Sequence, residues 1–283
     1  MTAPGMTEAR TVRRRRRFAA FGVVLSAVVL GVLRAPSGAS TTYLLNDVRG
    51  ARFPLPDLVI PTATTVRVLA VLMLAIAVVQ GIRGFGRRDV VAVGAVGGLA
   101  VLALLTWSGA DASISVVSLL RGTLFAAVPI AFGALAGVLC ERSGVINIAI
   151  EGQFLTGAFT AAVVVSILGS AWWGLLGGVL AGGLIGLMLA ALTIRFAADQ
   201  IVSGVVLIVF ATGITSFLTS QVLAENSSWN APIRFQAFAL PGLSDIPLLG
   251  PIVFDQTVLV YLMLASVAAV QFGLFRTRWG LRL

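Results

Sequence analysis

The segment Glu141-Arg-Ser-Gly-Val-Ile-Asn-Ile-Ala-Ile-Glu-Gly-Gln-Phe-Leu-Thr-Gly157 places polar side chains inside an otherwise apolar part of the chain. A carboxylate at bilayer depth costs at least about 2.5 kcal/mol, so it usually faces a bundle interior or a water-filled path. If the segment is helical, Asn147 and Glu151 are four residues apart and share one face. Together with Gln153, they are our candidates for the lining of a translocation path or for a hinge beside it.

The composition of the chain is that of a polytopic membrane protein. Hydrophobic residues make up 58% of it and charged residues only 11%, whereas soluble domains are nearer half apolar and a quarter charged. Every one of the 20 basic residues is Arg, and there is no His. The chain therefore lacks a P-loop lysine, a Schiff-base lysine and a histidine metal ligand. Cys140 is the single cysteine, which excludes an intrachain disulfide, and we interpret it as a packing residue.

Eight apolar runs predict an all-α fold with about eight transmembrane helices, since a spanning helix needs about 20 residues. The runs are Phe18–Leu33, Val66–Ile82, Val90–Trp107, Leu119–Cys140, Val145–Leu168, Trp172–Ile194, Ile201–Leu223 and Thr257–Phe275. Because the fifth run carries the polar residues, we expect it to be broken or partly re-entrant instead of one straight span.

The distribution of Arg predicts a cytoplasmic N-terminus, because cytoplasmic loops are enriched in basic residues. With eight membrane crossings, the larger set of arginines lies on the cytoplasmic side: Arg10, Arg13–Arg17, Arg83, Arg87, Arg88, Arg142, Arg195, Arg276, Arg278 and Arg282. The outer set is Arg34, Arg49, Arg52, Arg67, Arg121 and Arg234. We interpret the run Arg13–Arg17 as an anchor for the first helix, with binding of anionic lipid or nucleic acid as the alternative.

Two long outer loops, Arg34–Thr65 and Ala224–Gln256, each contain four prolines, which argues against long helices there. The second loop could dock an external partner, cap the path or simply connect two helices.

Glycines recur at every fourth position of the sixth run, at Gly174, Gly178, Gly182 and Gly186. Small residues at this spacing let helix backbones approach closely in lipid, so we assign them to helix packing.

The other polar residues each have a structural interpretation. For Glu141 and Arg142 it is an interfacial ion pair at a helix end. The candidate path residues could instead form hydrogen bonds between helices that fix their packing. Asp199 precedes the seventh run, where its side chain can cap the free N–H groups of a helix.

Three segments in order resemble the permease subunits of bacterial ABC importers that carry nucleosides, simple sugars or branched-chain amino acids. The segment Glu141-Arg-Ser-Gly-Val-Ile-Asn-Ile-Ala-Ile-Glu-Gly152 is similar to the family's signature. Ala198-Asp-Gln-Ile-Val-Ser-Gly204, followed by Ala211-Thr-Gly-Ile-Thr-Ser-Phe217, resembles the next segment of the nucleoside branch. Phe275-Arg-Thr-Arg-Trp-Gly-Leu-Arg282 resembles the entry to the cytoplasmic coupling loop, which assigns Arg276, Arg278, Gly280 and Arg282 to that entry.

The resemblance covers residues 119–283, and it divides the chain into three parts. These are a cytoplasmic Arg-rich N-terminus (1–17), N-terminal transmembrane helices with an outer loop at 34–65 (18–118), and a permease core (119–283). In the family the last motif continues into a coupling helix and further spans, whereas this sequence stops at Leu283. We therefore expect it to be C-terminally truncated.

The resemblance implies a non-enzymatic subunit of the bacterial plasma membrane that translocates a small polar solute, with nucleosides as the expected class. Its implied partners are ABC ATPase subunits that hold ATP and Mg, a second permease subunit and an extracytoplasmic substrate-binding lipoprotein. No cofactor is expected on this chain. The alternative solutes are simple sugars or branched-chain amino acids. An alternative of another class is an ion-coupled secondary transporter with Glu151 as its coupling carboxylate, and a third is an intramembrane enzyme.

Overall fold

The computed structural model describes residues 4–36, 38–46, 54–86, 89–230 and 233–282, with side chains from residue 15 onward except at 227. It confirms the predicted all-α class. The helices are α1 (Pro4–Val32), α2 (Thr62–Ile82), α3 (Asp89–Ser108), α4 (Val116–Arg142), α5 (Ile150–Leu168), α6 (Ala171–Ala190), α7 (Gln200–Leu218) and α8 (Val258–Arg276). Short π-helical turns, Ala191–Arg195 and Thr219–Leu223, continue α6 and α7.

Within the described residues, 7 helices, α2 to α8, are long and apolar enough to cross a membrane. The first predicted span lies on α1, which is not one of them. Its apolar part begins only after the run Arg13–Arg17 and is shorter than the minimum of about 17 residues. The chain is thus a multi-pass membrane protein. Among the arginines used for orientation, Arg49, Arg52, Arg87 and Arg88 lie outside the described residues, as do the side chains of Arg10, Arg13 and Arg14.

The chain divides into two compact units, and the first comprises Met1–Leu120 and Asp245–Pro251. Its helices α1, α2 and α3 pack around buried residues that include Val29, Met73 and Val96. A three-stranded sheet with the order β2-β1-β3 lies in the first outer loop and after α3, a feature that the sequence analysis missed. The strands are β1 (Ser40–Leu44), β2 (Leu58–Pro61) and β3 (Ser113–Ser115).

Arg15 has a specific structural role at the end of α2. Its guanidinium donates to the carbonyl oxygens of Gln80 at 3.1 Å and Gly81 at 2.7 Å, and also to that of Ile82. The last carbonyls of a helix have no partner within the helix, and a cation is favourable there. At least one member of the predicted arginine anchor therefore ties α1 to α2.

The second unit comprises Arg121–Ser244 and Ile252–Leu283, and contains most of α4 together with α5 to α8. Two short strands, β4 (Ala237–Ala239) and β5 (Asp255–Thr257), pair antiparallel before α8. The guanidinium of Arg121 on α4 lies 3.4 Å from the carboxylate of Asp255. This ion pair holds the start of α4 in the unit against the hairpin that leads into α8.

The glycines at every fourth position of α6 pack against α5. A Cβ atom added at Gly178 would lie 3.0 Å from the carbonyl oxygen of Gly157, and one at Gly174 would lie 3.0 Å from that of Ala161. Gly182 approaches the backbone of Gln153 in the same way, at 3.1 Å. The two helices therefore touch backbone to backbone along the ridge, which only residues without a side chain allow.

We expect Gly178→Leu to destabilise the protein, because the new side chain would overlap the α5 backbone. Overpacking of this kind costs about 1–3 kcal/mol, so the melting temperature of detergent-purified protein should fall. Gly183→Leu is the matched control, since a Cβ atom at Gly183 meets nothing within 4 Å on the same helix. Equal melting temperatures for the two variants would contradict the packing role.

Candidate functional site

The candidate site is built around a break between α4 and α5. Helix α4 ends at Arg142, the next seven positions are not α-helical, and α5 begins at Ile150. Gly144 adopts a positive φ of 75°, which favours glycine and turns the chain out of α4. The predicted break is present, at the start of the fifth apolar run. Asn147 lies in it, so Asn147 and Glu151 do not share a helical face, as they would if the whole segment were helical.

The break is held against the start of α7 by Gln200. The side-chain carbonyl of Gln200 accepts a 2.7 Å hydrogen bond from the backbone N–H of Ile146. One turn further along α7, a Cβ atom added at Gly204 would lie 3.0 Å from the Cβ of Ile148. Two segments that are 54 residues apart thus form one packed unit. The sequence analysis missed this role of Gln200, although the residue is part of the segment Ala198–Gly204 that carries the family resemblance.

Asn147 has one partnered and one unpartnered polar atom. Its Nδ2 lies 3.7 Å from the sulfur of Cys140. Its Oδ1 is buried and has no hydrogen-bond partner among the described residues. Buried polar atoms without a partner are rare in native structures, so this acceptor needs an explanation.

Glu151 and Gln153 lie on α5 in different surroundings. Glu151 is exposed in the first turn, where the positive end of the helix dipole stabilises a carboxylate by about 0.3–1 kcal/mol. Gln153 is half-buried at the contact with α6, where an added Cβ at Gly186 would lie 3.3 Å from its Nε2. The three candidate residues therefore lie in different places: Asn147 in the break, Glu151 at an exposed helix end and Gln153 at a helix interface.

The predicted cap at Asp199 and the predicted ion pair between Glu141 and Arg142 have different outcomes. The capping prediction is confirmed, because the carboxylate of Asp199 accepts from the backbone N–H groups of Ile201 and Val202, both at 2.9 Å. The predicted pair between Glu141 and Arg142 is absent from the ion pairs of the described chain. The guanidinium of Arg142 instead lies 5.3 Å from the centre of the Phe275 ring, which joins α4 to α8 through a cation–π contact.

The residues after α8 form a turn that folds back on the helix. Thr277 donates from its hydroxyl to the carbonyl oxygen of Gly273 at 2.6 Å, and its Oγ1 accepts from the N–H of Gly280 at 3.3 Å. Gly280 is buried, and a Cβ there would overlap the backbone of Leu274. The turn leaves the remaining residues of this motif exposed, namely Arg276, Arg278 and Arg282. No group of three or more His, Cys, Asp or Glu residues in the described chain could hold a metal ion.

Comparison with known proteins agrees with the resemblance seen in the sequence. The family model described as branched-chain amino acid transport system / permease component matches residues 119–283. The guanosine ABC transporter permease protein NupQ of Bacillus subtilis is 38% identical over 168 residues, which cover 57% of this chain and 53% of the relative. The nucleoside ABC transporter permease protein NupC of Lactococcus lactis is 36% identical, over 56% of this chain and 52% of its own length.

A third relative is named for a different solute. The putative glucose ABC transporter permease protein TsgC13 of Haloferax volcanii is 33% identical over 58% of this chain and 50% of its own length. The chain thus spans about half the length of the curated relatives it matches. No solved structure matches it significantly.

We expect Asp199→Ala to lower the free energy of unfolding by about 1 kcal/mol, because it leaves two N–H groups of α7 without their cap. Asp199→Asn keeps the acceptor oxygen and should retain most of the stability. Thermal unfolding of the purified protein in detergent measures both. A cap role would be contradicted if the Ala variant had the melting temperature of the wild type, or if the Asn variant lost as much stability as the Ala variant.

Proposed function

This chain belongs to the branched-chain amino acid transport system / permease component family, and we propose that it is the transmembrane permease subunit of an ATP-driven ABC importer for nucleosides. The observation that supports the solute most directly is the similarity to permeases named for guanosine and for nucleosides. The family match covers the whole second unit, including the break, Gln200 and the exposed arginines after α8. Translocation, rather than chemical conversion of the solute, is the proposed activity.

The proposed assembly contains further chains. Two ATPase subunits supply ATP hydrolysis with Mg, because this chain has no lysine for a phosphate-binding loop. A second permease subunit completes the path, and an extracytoplasmic binding lipoprotein delivers the solute. We place the N-terminus in the cytoplasm of a bacterial cell and take α1 as a short crossing before α2 to α8, and these eight crossings together put Arg276, Arg278 and Arg282 on the side of the ATPases.

The structure suggests how such a subunit could handle a polar solute. The break places non-helical backbone and a neutral amide, Asn147, between helices that are otherwise apolar, and Glu151 adds one exposed carboxylate. A few polar contacts grip a solute weakly and so allow its release. Transport needs at least two conformations with different affinity for the solute, since a ligand can shift an equilibrium only by differential binding.

The first test of this proposal is uptake of labelled guanosine and uridine by cells with and without the complete gene. We expect gene-dependent uptake that unlabelled nucleosides block and that glucose and leucine leave unchanged. The control is an ATPase-deficient strain, in which uptake should cease. Competition by glucose or leucine instead would assign the solute to the other branches, and uptake that survives ATPase loss but collapses with the ion gradient would favour the coupled transporter.

We expect Glu151→Gln to reduce uptake about tenfold at unchanged abundance in the membrane. The change replaces a charged acceptor for the solute by a neutral one, and hydrogen bonds to charged groups contribute about 1.5–3 kcal/mol. Glu141→Gln is the matched control, since Glu141 is an exposed carboxylate at the end of α4 beside the same break. Equal uptake by both variants would argue against a path role for Glu151. Lost abundance of the Glu151 variant would instead assign the residue to folding.

A further inference from the structure

We propose that Gln200 is a positioning residue, which holds the non-helical segment 145–149 in register on α7 and so sets the position of the Asn147 amide for the solute. This inference rests on the proposed function for its ligand. Its structural basis is the 2.7 Å hydrogen bond from the N–H of Ile146 to Oε1 of Gln200.

The segment is anchored on both sides of Asn147. On one side is the Gln200 contact to Ile146. On the other side, an added Cβ at Gly204 would lie 3.0 Å from the Cβ of Ile148 and 3.4 Å from the backbone nitrogen of Ala149. Ala149 is itself completely buried, in a cluster of residues from α6 and α7: Ile185, Leu189 and Leu207. Asn147 lies between these anchors and can move only as far as they permit.

Gln200 suits this task because its own backbone is fixed. It is the first residue of α7, directly after the Asp199 cap. The capping oxygen of Asp199 already accepts from Ile201 and Val202, so it satisfies α7 itself. The Gln200 side chain is therefore available as the acceptor for the N–H of Ile146 in the break. The bond lies at an exposed position, so its contribution to this register is that of one neutral hydrogen bond and not the larger cost of a buried N–H without a partner.

The consequence concerns the Asn147 carboxamide. One of its polar atoms faces the sulfur of Cys140, and Oδ1 is buried without a partner. Such an amide suits a solute that presents N–H or O–H donors, as the sugar hydroxyls and base amino groups of a nucleoside do. If Gln200 releases Ile146, the amide loses its fixed position, and the affinity for the solute should fall before the fold is lost.

The experiment combines three variants of the complete protein in cells. We expect Gln200→Leu to raise the half-saturation concentration of guanosine uptake about three- to tenfold at unchanged abundance, as the loss of one neutral hydrogen bond would. Gln200→Glu keeps the acceptor oxygen and should stay near the wild type. Gln271→Leu, an exposed glutamine on α8, is the matched control and should change nothing.

A double variant separates positioning from general structural damage. If Gln200 acts through Asn147, then Gln200→Leu combined with Asn147→Ala should be no worse than Asn147→Ala alone, since coupled residues are non-additive. Three results would each overturn the proposal. The first is that the effects of the two changes multiply, and the second is that uptake by Gln200→Leu is unchanged. The third is that Gln200→Leu and Gln200→Glu lose abundance equally.

The native cysteine gives a readout that needs no solute. Cys140 is half-buried beside Asn147, and its modification by N-ethylmaleimide can be followed by peptide mass spectrometry of the purified protein. We expect faster modification in Gln200→Leu and the wild-type rate in Gln200→Glu. If guanosine uptake is absent in the wild type but this pattern holds, the solute assignment fails and the positioning role stands. Equal modification rates in all variants would overturn the positioning role itself.

Discussion

The second unit depends on one constraint: backbone N–H groups that leave a helix lose their helical acceptors and need other ones. Inside a helix these acceptors are present automatically, but the chain leaves the helix between Arg142 and Ile150. The N–H groups of Ser143, Gly144 and Val145 bond back to carbonyls at the end of α4. The next N–H, that of Ile146, bonds to the side chain of Gln200. A broken helix is therefore tolerated here because another helix supplies the missing acceptor.

The glycines allow the helices to come close enough for this hydrogen bond, because a side-chain acceptor must lie within about 3 Å of the backbone nitrogen to which it bonds. Gly204 brings α7 against the break, and Gly152 brings α5 within reach of the Leu207 carbonyl, at 3.2 Å from an added Cβ. On the other face of α5, Gly178 and Gly157 do the same for α6. In lipid the hydrophobic effect contributes little to helix association, so this close fit has to stabilise the bundle. The glycine contacts and the Gln200 hydrogen bond consequently support the same arrangement.

What could be predicted from the sequence follows from local patterns. The apolar runs, the every-fourth glycines of α6 and the Asp199 cap are each set by residues within a few turns of one another, so spacing alone reveals them. The Gln200 bond joins residues 54 apart and leaves no local trace. The sheet pairs β1 with β3, which lie on either side of two helices, and was missed for the same reason. The break itself was expected, because polar residues interrupt the fifth apolar run, but their spacing alone could not show which residues lie in the break and which lie on α5.

A neutral amide is better suited than a carboxylate to contact a solute at the break. An ionised side chain at bilayer depth costs at least about 2.5 kcal/mol, whereas a buried polar group without a partner costs about 1–3 kcal/mol in proteins. The start of α5 lessens the larger cost for Glu151, because the positive end of the helix dipole favours a carboxylate there. Asn147 carries the smaller cost in full, through its unpartnered Oδ1. In the proposed function, a donor from the solute would remove that cost only while it stays, and the gain is small enough that the solute can leave again.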